Sequence, residues 1–520
     1  MQAVITSLQN TVKAQGQQLL AELNPLVLVP KIFDFIKSRL EKIDFFDETK
    51  VALQKDSPWY QLGGMFYMAW VVVLVTGILL IAVYLPTIDQ AYNSVNVLSE
   101  NFFGSVLRGM HKYGGDAMII AATLRVYRMW FTAEYKNKGE FTFILSIILL
   151  LVAMYSGLSG YLLIWNQRAF WATKVFATFP TYLDIMPKVW YWPWEGNVLV
   201  NGRTWFLPNL IGSVTKIIGD VTHQGVTTSQ ALMGGSSIGQ ATMTRFFALH
   251  FALSVLLLIV TELYFYKNRL KRINLTTGVK WLLVGMICFV AIIFPAESGS
   301  RANPEVTPLP ILSDWYFLAL YQMLKYMDPY WATIWTLGVP FVTIAIMFLD
   351  WGPERNPWKR PIPTSICIMA IIQFIVFSLL IIANQANLDR DPPYWYASMV
   401  LFITIGQFWH WSLYRQWFPM AVWIGFNLVS ATFYLWFWHV QADPWLAIWF
   451  NTEVLHNAAY VIPAAIKSTM TSEGLNWTNL YWNFVWAGFA YLQALVGGLV
   501  MLTTGKNPIP MGGTLPEVKA

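Results

Sequence analysis

Residues 104–130 read GSVLRGMHKYGGDAMIIAATLRVYRMW, and residues 241–267 read ATMTRFFALHFALSVLLLIVTELYFYK. Each stretch is long and apolar enough for a membrane-spanning helix. Each sets one imidazole, His111 or His250, about two turns inside. A histidine held in lipid is costly unless something uses it. Two of them on two helices could clamp a metal centre, because neutral imidazole is the commonest protein metal ligand and an axial ligand of haem iron. The alternative, open at this point, is a pair of hydrogen-bonded packing residues.

The rest of the chain has the composition that such helices need. It has 520 residues, 56% hydrophobic and only 12% charged, with a mean hydropathy of +0.47. That excludes a soluble domain and implies an integral membrane protein. Aromatics reach 16%, with 27 Trp, as interface belts require. The net charge of +6 reports loop orientation and gives no reason to expect a nucleic-acid partner. Cys288 and Cys367 both lie in apolar helices, so no disulfide framework is expected. The sequence holds no Cys-x-x-Cys-His, the usual c-type haem attachment, and no cleavable signal peptide is evident.

Ten spanning segments are expected, at about 65–85, 105–128, 142–164, 243–266, 278–296, 331–349, 363–384, 396–414, 419–440 and 478–503. Before them, residues 24–46 mix apolar positions at helical spacing with Lys and Arg. They read as an amphipathic helix on the membrane surface or a docking helix for a partner. Residues 444–470 are less uniformly apolar and read as an interfacial helix or hairpin, with an extra crossing as the alternative. The basic loops RVYRMWFTAEYKNKGE (125–140), YKNRLKR (266–272) and DWGPERNPWKRP (350–361) fall on one side in a ten-helix count. That side is expected to be cytoplasmic, the n side, with both termini on it. The 165–242 and 297–330 connections then face the p side.

Six ordered motifs carry a family resemblance: LGG (62–64) with TG (76–77), VLRGMHKY, RVYRMWFTAEYKNKGEFT, GLSGYLLIWNQRAFWATK (157–174), GQATMTRFFALH (239–250) and TPLPILSDWYFLALYQMLK (307–325). Over roughly residues 57–385 the chain resembles the cytochrome b family of quinol:cytochrome c (or plastocyanin) oxidoreductases. The resemblance implies an all-α polytopic membrane protein, with a four-helix haem-binding bundle followed by about six further transmembrane helices. The expected divisions are a cytoplasmic-side amphipathic helix (1–57), a haem-binding bundle (58–275), a region like subunit IV with a quinone-site loop (276–385), and additional helices (386–520).

On that resemblance His111 and His250 are the axial ligands of a haem b near the p side. Arg108 and Arg245, three and five residues earlier, are expected at its propionates; snorkelling to the interface is the plain alternative. Gly77 and Gly160 are expected to leave backbone room for the porphyrin. The family's p-side quinone loop is Pro-Glu-Trp-Tyr; here it reads Ser313-Asp314-Trp315-Tyr316. Asp314 is the expected proton acceptor and Tyr316 a hydrogen-bond donor to the quinone, while an N-capping role for Asp314 stays open. The segment NQRAFWATK matches the helix lining the same pocket, with Phe170 and Trp171.

The chain also departs from its family. A usual cytochrome b carries a second, n-side haem with one more histidine on each ligand helix. Those positions are Arg125 and Phe265 here, and the matching n-side glycine of the third helix is Ser146, although Gly63 remains. One haem b is therefore expected. Phe265 would fill the vacated volume, and Arg125 would pair with Glu262, or else snorkel to headgroups. Gln61 stands where some relatives attach a further n-side haem through cysteine.

The expected function is a membrane subunit of a respiratory quinol-linked electron-transfer complex in a prokaryotic cytoplasmic membrane, without a complete Q-cycle. The chain has no iron–sulphur or c-haem motif of its own, so a Rieske-type iron–sulphur protein, c-type cytochrome subunits or both are the expected partners, in a hetero-oligomer that could be dimeric, with lipid and quinone as small-molecule partners. The competing readings are a structural anchor with a degenerate quinone site and a transporter built on the same scaffold. His410, His439 and His456 read as polar members of aromatic belts; a second haem or metal site there is the alternative.

Overall fold

The computed structural model describes residues 58–136, 139–177, 228–267, 275–308, 312–326, 329–350, 352–383, 394–442 and 477–505, with short pieces elsewhere. The expected amphipathic helix over 1–57 and the interfacial segment over 444–470 fall almost wholly outside these residues. So do His456 and the side chains of Phe265 and His439.

Among the described residues the chain is helical, apart from a two-residue hairpin that pairs Met470–Thr471 with Gly474–Leu475 and an isolated bridge between Asn166 and Arg301. The helices are α1 (Leu62–Ile81), α2 (Ala91–Glu100), α3 (Phe102–Phe131), α4 (Glu140–Leu162), α5 (167–177), α6 (Thr228–Met233) and α7 (Gln240–Lys267). They continue as α8 (Thr277–Ile293), α9 (Leu318–Tyr326), α10 (Pro329–Leu349), α11 (Pro361–Ala383), α12 (Tyr394–Tyr414), α13 (Trp417–Ala442) and α14 (Trp477–Thr504). Each of the ten expected crossings coincides with one of these helices. Among the described residues five stretches are long and apolar enough to cross a membrane unaided: Pro58–Ile81, Glu140–Leu162, Gln240–Leu263, Pro361–Ala383 and Ala487–Thr504. Helix α3 differs because Arg108, Lys112, Asp116, Arg125 and Arg128 interrupt it.

Apolar side chains face outward as well as inward, as lipid permits. On α7 the exposed Phe251, Val255, Leu256, Ile259 and Leu263 recur at helical spacing and form one lipid-facing stripe.

The chain divides into two compact units. One comprises Phe45–Met129 and Phe141–Leu318; the other comprises Met1–Asp44, Trp130–Glu140 and Ala319–Ala520. The division at Leu318 falls elsewhere than the boundaries expected near 275 and 385. In the first unit α8 packs on α1. The Gln61 amide oxygen accepts the backbone N–H of Thr276 at 3.0 Å, so this side chain helps to hold the start of α8.

The second unit contains a buried ion cluster. Asp350 Oδ2 accepts from Tyr135 Oη at 2.6 Å and from Arg360 Nε at 2.8 Å, while its Oδ1 meets Lys136 Nζ at 2.9 Å. The Lys136, Asp350 and Arg360 side chains are only 2–4% exposed. Arg360 also donates to the Phe131 carbonyl at 3.0 Å, and Lys136 to the Glu354 carbonyl at 2.7 Å. Later in this unit, α12, α13 and α14 pack through Trp411, Trp417, Met420, Trp423 and Met501. Thr404 donates to Gln493 at 2.6 Å across the α12–α14 contact, a polar tie of the kind that joins helices in lipid. His410 has Gln416 Oε1 2.9 Å from its Nε2.

Candidate functional site

The first unit brings His111 of α3 and His250 of α7 face to face. Their ring centroids are 6.2 Å apart and the ring planes cross at 70°. Each ring is aimed by its other nitrogen. His111 Nδ1 donates to the Val73 carbonyl at 3.1 Å, with Thr76 Oγ1 also at 3.1 Å. His250 Nδ1 donates to the Ser156 carbonyl at 2.9 Å, with Ser159 Oγ at 3.4 Å. A carbonyl on Nδ1 fixes the tautomer that keeps the Nε2 lone pair free, the usual outer-sphere support of a metal-bound histidine.

The spacing fits an iron between the rings. Two metal–nitrogen bonds of about 2 Å, with about 1.1 Å from each nitrogen to its ring centre, give about 6.2 Å. Gly77 and Gly160 complete the cradle. A Cβ on Gly77 would lie 3.0 Å from His111 Cε1, and one on Gly160 would lie 2.6 Å from His250 Cε1. The sequence expectation gave that space to the porphyrin; in the structure the imidazoles themselves take it. The donor set and its cradle therefore fit a bis-histidine haem.

The two arginines lie in different surroundings. Arg108 Nη1 donates to the Ala296 carbonyl at 2.7 Å and to the hydroxyls of Ser99 at 2.7 Å and Ser298 at 2.9 Å. Its Nη2 donates to the Glu297 carbonyl at 2.8 Å, so this guanidinium is engaged by the loop after α8. Arg245 lies against the turn at Gly234, whose φ is +84°.

The Ser313–Tyr316 stretch folds against the same helices. Asp314 occupies the N-cap position of a 3-10 turn (Trp315–Phe317), but its side chain makes no capping bond. Its Oδ2 accepts from Tyr316 Oη at 3.5 Å. Arg168 of α5 holds the strand before it through the carbonyls of Leu312 at 3.0 Å and Ser313 at 2.9 Å. Phe170 and Trp171, also of α5, are buried in a cluster with Leu162, Trp165, Met243 and Phe246. The Tyr316 side chain reaches α4 at Gly157, where a Cβ would come within 3.2 Å of Tyr316 Cζ. Burial, and next the like charge of Asp116, push the Asp314 carboxyl above the ordinary carboxylate range, against the pull of Arg168 and Lys112. Burial and the negative charge of Asp314 hold the Tyr316 phenol well above its ordinary value, so it is a hydrogen-bond donor at any working pH. The arrangement provides a proton acceptor and a neutral donor on one lining, a few residues along α4 from the paired imidazoles.

The cytochrome b/b6/petB family profile matches residues 49–207, and the cytochrome b (C-terminal)/b6/petD profile matches residues 301–405. Together they cover just over half of the chain. The chain belongs to the cytochrome b family. It is 27% identical over 309 residues to a cytochrome bc complex cytochrome b subunit of Chlorobaculum thiosulfatiphilum, covering 54% of this chain and 63% of that one. The chain thus spans just under two thirds of that relative. It is 26% identical over 248 residues to cytochrome b6 of Acaryochloris marina, covering 47% of this chain and 98% of the relative. A solved structure titled hyperthermophilic respiratory Complex III shares the fold at a TM-score of 0.52, with 19% identity, over 73% of this chain and 95% of its own.

Three further polar side chains lie toward the far end of the bundle. Arg125 is buried, and its guanidinium lies against the bare backbone of Gly63, where a Cβ would be 2.6 Å from Nη1. Ser146 is buried too; its hydroxyl donates to the Thr142 carbonyl at 2.7 Å and to Met129 Sδ at 3.4 Å. Glu262 accepts from Tyr67 Oη at 3.5 Å.

Sequence reasoning missed three parts of this cytochrome b: the carbonyls of Val73 and Ser156, the contact at Gly157, and Asp116. The Gly157–Gly160 pair carried a usable signal. Glycines three apart share a helix face, so they mark two close approaches on one side of α4.

Proposed function

We propose that the chain is the cytochrome b-type subunit of a bc-type respiratory complex, holding one haem b on the p side next to a quinol site. The observation that carries this reading is the pair of imidazoles 6.2 Å apart, with both Nδ1 atoms already committed to carbonyls. His111 and His250 would be the axial ligands, with Arg245 nearest to serving a propionate; Arg108 would act mainly by fixing the 296–298 loop over the same end. The bound haem supplies a one-electron carrier there. Asp314 takes the quinol proton, and Tyr316 orients the quinol oxygen by donating to it. Arg125 and Ser146 fill the place of an n-side haem, so no complete Q-cycle runs through this chain. A Rieske-type iron–sulphur protein, c-type cytochrome subunits or both carry the remaining redox centres in a hetero-oligomer in a prokaryotic cytoplasmic membrane.

The test is a redox-titrated absorption spectrum of the purified chain with haem extraction. One b-type haem per polypeptide is expected; two, or none, overturns the reading. Reduction of that haem by added quinol, blocked by a p-side inhibitor, separates a working quinol site from a structural anchor.

A further inference from the structure

Asp116 lies on α3, five residues beyond His111, and the quinol reading does not use it. Its Oδ1 accepts the indole N–H of Trp315 at 2.9 Å, directly beside Asp314 in the chain. Its Oδ2 faces Lys112 Nζ at 3.5 Å, one turn back on α3. Asp116 is also the like charge that acts most strongly on Asp314, and it acts on Tyr316 as well. A carboxylate at this depth of a membrane-spanning helix is costly and needs a reason. The exposed i, i+4 pair with Lys112 is too weak to supply one.

Asp314 is partly buried. The charged or titratable groups acting on Asp314 are Asp116 and Lys112 from α3, Arg168 from α5 and Tyr316 from its own turn; Tyr161 of α4 acts on Tyr316.

We propose that Asp116 is the second proton carrier of the quinol site, acting through Asp314 and passing the proton on to water. The inference rests on the reading of Asp314 as the primary acceptor. The quinol O–H bond breaks as the Asp314 O–H bond forms. That bond then breaks as an Asp116 O–H bond forms, which restores the Asp314 carboxylate. Asp116 gives the proton to water and faces the Lys112 ammonium again. The quinol electrons leave separately, to one-electron acceptors of the haem and iron–sulphur class.

The test uses membranes carrying the whole complex, a short-chain naphthoquinol or benzoquinol as donor, and three variants. D116N keeps an oxygen for the Trp315 indole but cannot carry the proton; D116E can. With haem content unchanged, D116N is expected to slow quinol-dependent haem reduction at least about tenfold across the pH range, and D116E to recover most of the rate. In infrared titration of the purified complex, D116N is expected to move the Asp314 carboxyl step to lower pH, because the like charge that raises it is gone. If D116N runs at the wild-type rate while D314N is inactive, Asp116 only anchors the indole and the proposal fails. If D116N and D116E are equally slow, it fails as well. Wild-type turnover in D314N instead overturns the reading of Asp314 beneath it.

Discussion

Ser156 and Gly157 are neighbours on α4 and serve two different groups. The Ser156 carbonyl takes the Nδ1–H of His250 at 2.9 Å, and the bare Cα of Gly157 takes the ring of Tyr316. One peptide step thus couples the position of the His250 ring to the position of the Tyr316 phenol. Substitutions on this turn should separate the two functions. Gly160→Ala puts a Cβ 2.6 Å from His250 Cε1 and is expected to abolish haem binding. Gly157→Ala is expected to keep the haem spectrum while cutting quinol-dependent haem reduction at least about tenfold by displacing Tyr316. Absorption spectra and single-turnover reduction measured on both variants check this.

Removing an axial ring leaves a hole of the right shape. His250→Gly is expected to lose the reversible b-type spectrum, and added free imidazole to restore part of it. The same change at His111 is expected to behave alike, because Val73 and Thr76 aim that ring as Ser156 and Ser159 aim its partner.

The raised pKa of Asp314 has consequences of opposite sign for rate and stability. As a base it must be ionised, so quinol oxidation is expected to rise with pH through that raised value. Stability goes the other way. A carboxyl whose folded-state pKa lies above the unfolded value of about 3.9 favours the native state at low pH. That contribution is lost as pH climbs past the folded-state value. Asp314→Asn is therefore expected to melt higher than the parent near neutral pH, with the gain vanishing below pH of about 4. Thermal unfolding of the detergent-solubilised protein across pH measures it.

Asp350 faces two cations in a space closed to water, with Lys136 at 2.9 Å and Arg360 at 2.6 Å. Asp350→Ala leaves both cations without this counter-charge and is expected to cost about 3–5 kcal/mol, enough to lower folded yield sharply. Tyr135→Phe removes two hydrogen bonds of the cluster, one given to Asp350 and one taken from Arg360, and is expected to cost about 1–2 kcal/mol. Melting curves of the two variants read the difference.

Arg125 and Glu262 offer a charge-swap test. If they form an ion pair at the inner end, either single reversal is expected to destabilise the protein, and the double swap to recover most of the loss. Lack of recovery in unfolding curves excludes the pair.

Helices were legible because a long apolar run must pair its own backbone inside lipid, so hydropathy alone fixes where they lie. His111 and His250 were legible because a membrane histidine demands an explanation. Their aim was not, since any carbonyl in a turn looks alike in sequence and only packing selects Val73 and Ser156. The loops around Lys136 and Arg360 read simply as basic topology signals. In the structure those two charges are buried around Asp350, which requires side-chain geometry that charge counting does not contain. Asp116 was hidden for a related reason: it gains meaning only once Trp315, 199 residues away, donates to it.

The arginine seated against Gly63 has an electrical consequence. A fixed cation cannot accept and pass on an electron, so on the proposed one-haem reading the inner half of this bundle would offer no conducting path through the membrane dielectric. Turnover confined to the outer half would move no charge across the bilayer, and its speed would be indifferent to an applied transmembrane voltage.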